Sequence, residues 1–379
     1  MHSWDSPALN CRFNRLDFNE FYKRNNILYS EYCSVLLTEV FLDAKRKALT
    51  AFIGLAALAF LIFNANQAGP VSYKYTQPAM GTIFNITVYG AQENNARDSS
   101  RKAFSLLHSI EAELSRFRDD SELSSVNKQP ASSHKISGHF LDCVKQSIAV
   151  GDLTQGYFDI TFLPLYKAWD WRNDPKNEPS AGTLEALLKS VGYKKIKLDE
   201  KNSSICLMPG MMLDLGGVAK GYSVVKMAES LKASGIHDAI VNGGGDLVIT
   251  SKRAYVIGLR SPFAGRNEEA VFGKIIVEGP AAVFTSGDYE QFAEINGKKY
   301  GHIIDPHTGY PASGLKSATV IDENPERAPG ISAGIIAMGE KRAKEFVENK
   351  NIAAFLINES GEVYMSKKFF SLARFIDGR

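Results

Sequence analysis

The stretch MMLDLGGVAKGYSVVKM, Met211–Met227, places one acid, two adjacent glycines and one lysine directly ahead of an apolar, helix-like run. Adjacent glycines let a backbone come close to a bulky partner, and a helix start offers free N–H groups to an anion. Lys220 would add a positive charge in the same turn. Read alone, the stretch is also a plain strand-to-helix turn in which glycine only permits positive φ. It lacks the G-x-G-x-x-G spacing that follows a strand in dinucleotide-binding folds.

Outward from this turn, strands come as neighbouring hairpins and helices come in groups. YKYTQPAMGTIFNITVYG (73–90) alternates like a strand and breaks at Met80-Gly81-Thr82. ARDSSRKAFSLLHSIEAELSRF (96–117) is helical, with Phe104, Leu107, Ile110 and Leu114 on one face. HFLDCVKQSIAVGDLT and TLEALLKSVG read as further helices, the second stopping at Gly192. KIKLDEKNSSICLM reads as a hairpin, and GYSVVKMAESLKASG as a helix ending at Gly235. DAIVNGGGDLVITS, AYVIGLRSP and GKIIVEGPAAVFTSG read as strands and turns, and Asn296-Gly297 marks a hairpin. GIIAMGEKRAKEFVENKN is a late helix, followed by the closing hairpin AAFLINESGEVYMS. The pattern predicts an α+β fold with largely antiparallel sheets and helices packed on them, not a doubly wound one.

The chain has 379 residues, 44% of them hydrophobic and 23% charged, with a formal net charge of +2. That is ordinary globular composition, and nothing in it suggests a nucleic-acid surface. Cys11, Cys33, Cys143 and Cys206 show no C-x-x-C spacing, which argues against a zinc knuckle or a redox pair. A Cys143–Cys206 disulfide is open but has no positive support. Near the N-terminus, Lys45-Arg46-Lys47 precede an uncharged apolar run from Ala48 to Phe63. The run is intermediate between a secretory segment and a spanning helix, and the basic cluster predicts an exported remainder. Residues 45–69 are therefore expected to be a signal peptide or signal anchor, with 70–379 as the folded domain. Residues 1–44 read either as a cytoplasmic tail or as a gene model begun too early.

Polar clusters sit at the ends of the predicted elements: Met80-Gly81-Thr82, Tyr157-Phe158-Asp159, the Asp214–Tyr222 stretch, Asn242–Asp246, the segment around Ser286, and YGHIIDPHTGYP with His302, Asp305 and His307. Each alone has a plain account. His302 could be a satisfied strand histidine, Asp305-Pro306 opens turns in any protein, and the glycines of NGGGD could mark a bulge.

Together and in this order, the clusters resemble the ApbE family of FAD:protein FMN transferases, from about Tyr73 to Ser366. MGT, DLGGVAKGY, NGGGD and HIIDPHTGYP are the most specific pieces. The resemblance implies an ApbE-like fold and a periplasmic or membrane-attached protein that uses FAD and magnesium. Such a protein moves FMN onto a Thr or Ser of an exported or membrane flavoprotein, and AMP leaves. It implies FAD contacts from Asp214 and Lys220 and a metal contact from the backbone carbonyl of Gly217. Met80, Tyr157, Phe158 and Asp159 would line the flavin nucleotide site. His302 would lie near the phosphates, as the one catalytic candidate. One departure stands out. Where the family carries aspartate and threonine metal ligands, APGISAGIIAMG has Pro329 and Ala333. Glu326, one turn upstream, is a candidate substitute, as are Asp322 and Glu323; the plain account makes all three solvated loop acids. An active transferase, an FAD-binding member that has lost catalysis and, with less support, a flavin oxidoreductase are the competing functions.

Overall fold

Ser72–Ala79 (β1) and Thr82–Tyr89 (β2) pair antiparallel from Ser72–Tyr89 to Ala79–Thr82, so only Met80 and Gly81 join them. Both turn residues have positive φ, 50° and 72°, the conformation whose twist matches that of the flanking strands. This hairpin comes first in a computed structural model that describes residues 71–171, 177–264, 270–289 and 292–377. The expected signal or anchor segment and the tail before it lie outside the described residues. Among those described, no helix is long and apolar enough to cross a membrane.

The hairpin opens an eight-stranded sheet. After β2 it continues through Ala239–Gly243 (β6), Asp246–Ile249 (β7), Ala281–Gly287 (β10), Leu315–Asp322 (β13), Ala353–Asn358 (β14) and Val363–Met365 (β15). Every pairing is antiparallel. Three long helices cover one face: Glu93–Leu114 (α1), Gly216–Ala233 (α6) and Ile331–Asn349 (α7). Phe84, Ile86 and Val88 of β2 alternate inward and meet Phe104 and Leu107 of α1 and Val224 and Leu231 of α6. Each such side chain taken fully from water is worth about 1.5–3 kcal/mol. The opposite face packs on a second sheet, Ala373–Asp377 (β16), Val271–Glu278 (β9) and Ala254–Arg260 (β8), in that order. There Ile275 and Val277 meet Ile249, Phe355 and Ile357. Because β14 is covered on both sides, its run AAFLIN is buried throughout.

Shorter elements complete the chain. Glu122–Lys128 (α2), Gly138–Leu153 (α3) and Ala181–Leu188 (α5) each begin at a serine, Ser121, Ser137 or Ser180, whose hydroxyl accepts a first-turn N–H. His134–Lys135 (β3), Ser204–Cys206 (β5) and Lys197–Asp199 (β4) form a small sheet that contains the expected hairpin. Phe292–Ile295 (β11) and Lys298–Gly301 (β12) turn at Asn296-Gly297, as expected. Beneath Leu163–Trp169 (α4), Trp169 and Trp171 stack at 5.6 Å, and their indole N–H groups donate to the carbonyls of Gly309 and Tyr300.

Several boundaries differ from expectation, α1 for one ending at Leu114 rather than Phe117, and two of the differences have a local cause. α5 stops at Leu188 rather than at Gly192, because the Lys195 ammonium donates to the carbonyls of Lys189 and Val191 and satisfies that end. α6 starts at Gly216, ahead of the expected run from Gly221, because Asp214 accepts the Gly216 N–H. Cys143 and Cys206 are both free thiols, which settles the open disulfide.

Candidate functional site

One cleft of about 1470 Å³ opens where these elements end. Its floor carries the Met80–Thr82 turn and the β6–β7 turn, Gly244-Gly245. Its walls carry Thr285–Gly287 at the end of β10, the first turns of α6 and α7, and His302 just past β12. Two of the sequence clusters touch here: a Cβ on Gly244 would lie 2.6 Å from the Thr82 hydroxyl, so only glycine fits. Asn242 closes the same turn by accepting the Gly245 N–H at 3.1 Å.

Asp214 does two jobs at the start of α6. One oxygen accepts the Gly216 N–H at 2.8 Å, and the other pairs with Nε of Arg116 at 2.8 Å. The Arg116 guanidinium is thereby held across the Phe117 and Tyr166 rings, at 4.3 and 4.9 Å from their centres. Of the first N–H groups of α6, Gly216 gives its own to Asp214, and Val218 and Ala219 give theirs to the Leu215 carbonyl. The Gly217 N–H has no partner among the described residues. Helix geometry turns its carbonyl along the axis toward Gly221. Gly217 therefore offers the cleft a donor for an anion more readily than a carbonyl for a metal. It is glycine because a Cβ there would lie 3.0 Å from the Phe158 ring. Lys220 lines the cleft one turn on and has no hydrogen-bond or ion-pair partner among the described residues.

The other expected residues divide. Met80 lines the cleft, its N–H donating to Glu111 at 2.5 Å and its sulfur 3.6 Å from the Ser223 hydroxyl. Tyr157 lines it with one edge while its ring lies 4.4 Å from His307. Phe158 lines the cleft as well, although mostly buried, and acts as a wedge among three glycines, Gly217, Gly330 and Gly334. Asp159 reaches the cleft, but its carboxylate is committed to the protein. One oxygen accepts from the N–H and hydroxyl of Thr161, the other from the N–H of Tyr193. Burial pushes its pKa up, and these hydrogen bonds only partly offset that. His302 lines the cleft. His307 turns away and accepts or donates at Asp305 and Gln155, so Asp305 is a turn former, as its plain account has it.

The acids considered as substitute metal ligands lie elsewhere. Glu326 is exposed, 3.9 Å from Lys226, Asp322 faces Arg327 at 3.9 Å, and Glu323 faces Lys368 at 3.9 Å. None of them lines the cleft. Among the described residues, no group of three His, Cys, Asp or Glu side chains could hold a metal ion. Where α7 enters, the cleft offers Ala333 and the hydroxyls of Ser286 and Ser332, which bond each other at 2.8 Å. Magnesium favours several oxygen ligands in octahedral array. The side chains present do not fit a protein-held magnesium ion.

Three features of the cleft have no place in the sequence reading. Arg116 reads as one of two arginines in the polar stretch that ends a helix, Ser332 hides inside an apolar run, and Tyr255–Arg260 reads only as a strand.

With this geometry in view, comparison with known proteins is informative. The model of the ApbE family matches residues 80–356. An FAD:protein FMN transferase of Vibrio cholerae is 30% identical over 330 residues, 83% of this chain and 97% of that protein. One from Haemophilus influenzae is 29% identical, over 76% of this chain and 87% of its own. Among solved structures, the ApbE protein of Thermotoga maritima superposes with a TM-score of 0.72 at 29% identity, covering 80% of this chain and all of that one. The flavin transferase ApbE of Vibrio cholerae superposes at 0.69 and 28% identity, over 80% of this chain and 99% of its own.

Proposed function

Since the chain belongs to the ApbE family, we propose that it is an FAD:protein FMN transferase acting on a Thr or Ser of an exported or membrane flavoprotein. In the transfer, the acceptor hydroxyl oxygen bonds to the phosphorus of the FMN half. The bond from that phosphorus to the bridging oxygen breaks, AMP leaves with the electron pair, and the hydroxyl loses its proton. Such a step needs positioning and charge neutralisation more than covalent help. The observation that carries the reading is the pairing of the free Gly217 N–H with the unpartnered Lys220 ammonium at one helix start, inside a cleft large enough for FAD. These two groups would hold the diphosphate. Met80 and Tyr157 would line the nucleotide site, Asp214 would keep Arg116 in place, and His302 would receive the hydroxyl proton.

Pro329 and Ala333 favour a second reading, an FAD-holding member without transfer. Incubating the purified chain with FAD, magnesium and a recombinant FMN-acceptor flavoprotein domain separates the two. Transfer makes the acceptor band fluorescent in a denaturing gel and adds one FMN to its mass. FAD binding with a dark acceptor at every magnesium concentration would establish the second reading.

The cluster Lys45-Arg46-Lys47 before the apolar run supports placement on the periplasmic side of the inner membrane, anchored or secreted. A C-terminal reporter enzyme that works only outside the cytoplasm should be active, and reporter silence would refute the placement.

A further inference from the structure

We propose that the open edge of β8 is a docking rail for the partner flavoprotein: the segment carrying the acceptor Thr or Ser adds to it as an extended strand and so delivers its hydroxyl into the cleft. The proposal rests on the transferase reading above.

Among the described residues, β8 lies at the end of its sheet, paired only with β9. Six consecutive residues, Tyr255 to Arg260, line the cleft. A strand that turned one face to a cavity would contribute alternate residues, because successive side chains point to opposite faces. A consecutive run means that the strand's edge borders the space. The hydrogen-bond phase agrees. The carbonyl of Arg253 accepts from Gly279, so Arg253 points its backbone groups at the neighbouring strand. In an antiparallel pair that orientation alternates. Tyr255, Ile257 and Leu259 therefore serve the ladder with β9, while the N–H and C=O groups of Ala254, Val256 and Gly258 point to the open side. Among the described residues, no backbone group answers them.

Open edges are normally blunted. β1 carries Lys74 and Pro78, β15 has only three residues, and β16 carries Arg374 and Asp377. The first six residues of β8, AYVIGL, hold no charge and no proline, and Val256 is 63% exposed. The cleft of about 1470 Å³ is bordered by this edge, so a strand added there would flank the same space as a bound FAD. Backbone pairing at an edge gives affinity with little demand on sequence, while alternate side chains reach inward. Transfer to a side-chain hydroxyl needs that arrangement.

Val256→Pro and Gly258→Pro each delete one outward N–H and leave the β9 ladder intact, since proline is tolerated at that position of an edge strand. Each should raise KM for the acceptor domain about five- to tenfold, as expected for one lost hydrogen bond. FAD affinity and melting temperature should stay unchanged. A measurement that needs no enzyme variant accompanies this. A synthetic peptide of about ten residues around the modified Thr or Ser, mapped by mass spectrometry of the flavinylated domain, is N-methylated one position at a time. Transfer should slow at alternate positions only. If the unaltered enzyme transfers FMN but the proline variants keep their KM and N-methylation shows no alternation, the docking rail is wrong while the transferase reading stands. Should a proline variant unfold, the peptide series alone decides. No transfer by the unaltered enzyme overturns the transferase reading, and the rail with it.

Discussion

Lys220 holds a charge inside a cleft with nothing among the described residues to balance it. A hydrogen bond to a charged partner is worth about 1.5–3 kcal/mol, or roughly ten- to hundredfold in affinity. Lys220→Met should weaken FAD binding by about that factor in a fluorescence titration and leave the melting temperature unmoved. Asp214 is the opposite case, because its carboxylate supports both the helix start and Arg116. Asp214→Ala would leave a mostly buried guanidinium unpaired, so a stability loss of about 2 kcal/mol is expected, below the 3–5 kcal/mol of fully buried pairs. Thermal melts check it, and an unchanged melting temperature would deny Asp214 its structural role. Asp288 supplies a pH signature. One of its oxygens meets Lys316 at 2.7 Å, while the other is buried without a partner among the described residues. Burial raises its pKa above 3.8, partly offset by Lys316. The folded state then holds this proton more tightly than the unfolded chain, so stability falls as pH climbs from about 4 through the folded pKa. Asp288→Asn removes that loss. Its melting temperature should gain on the parent's as pH rises and match it most closely in acid.

At the scale of elements, the start of α7 is where the proposed magnesium dependence can be tested. Proline fixes φ and has no N–H, and Pro329 packs where a Cβ on Gly221 would lie 3.0 Å away, so it shapes the turn into the helix. Ala333 is the gentler test. Ala333→Thr should lower the magnesium concentration needed for transfer, and Pro329→Asp with Ala333→Thr should lower it further. The magnesium dependence of acceptor fluorescence checks both, and an unchanged requirement would mean that the lost ligands do not matter. Much of this architecture is legible in sequence because turn chemistry is local. Met80-Gly81 and Asn296-Gly297 each act within a few residues. Long helices with one apolar face are legible for the same reason. Arg116 is not, since its meaning comes from Asp214, far along the chain. The open edge of β8 is not either, because a strand's sequence does not state which neighbour it will lack. Glu326 follows its plain account as a solvated loop acid: adjacency in sequence to Pro329 did not bring it into the cleft.

Among the described residues, the two packed sheets and the helix layer converge on one opening, and the α+β, antiparallel character expected from the hairpin pattern holds throughout the main sheet. The site residues gather because turns and helix starts lie at one end of that sheet, an outcome of strand order that no single motif carries. The paired indoles beneath α4 gain an optical meaning from this layout. Trp169 and Trp171 are two of the chain's three tryptophans. Trp171 lies 5.0 Å from Tyr166, a residue of the cleft wall. Flavins absorb where tryptophan emits, so a flavin in the cleft becomes an energy acceptor for both rings. Titrating FAD into the protein should extinguish much of its ultraviolet-excited emission and saturate at one equivalent. Undiminished emission at saturating FAD would place the flavin away from this wall. The fold would thus report its own occupancy by light, with no label attached.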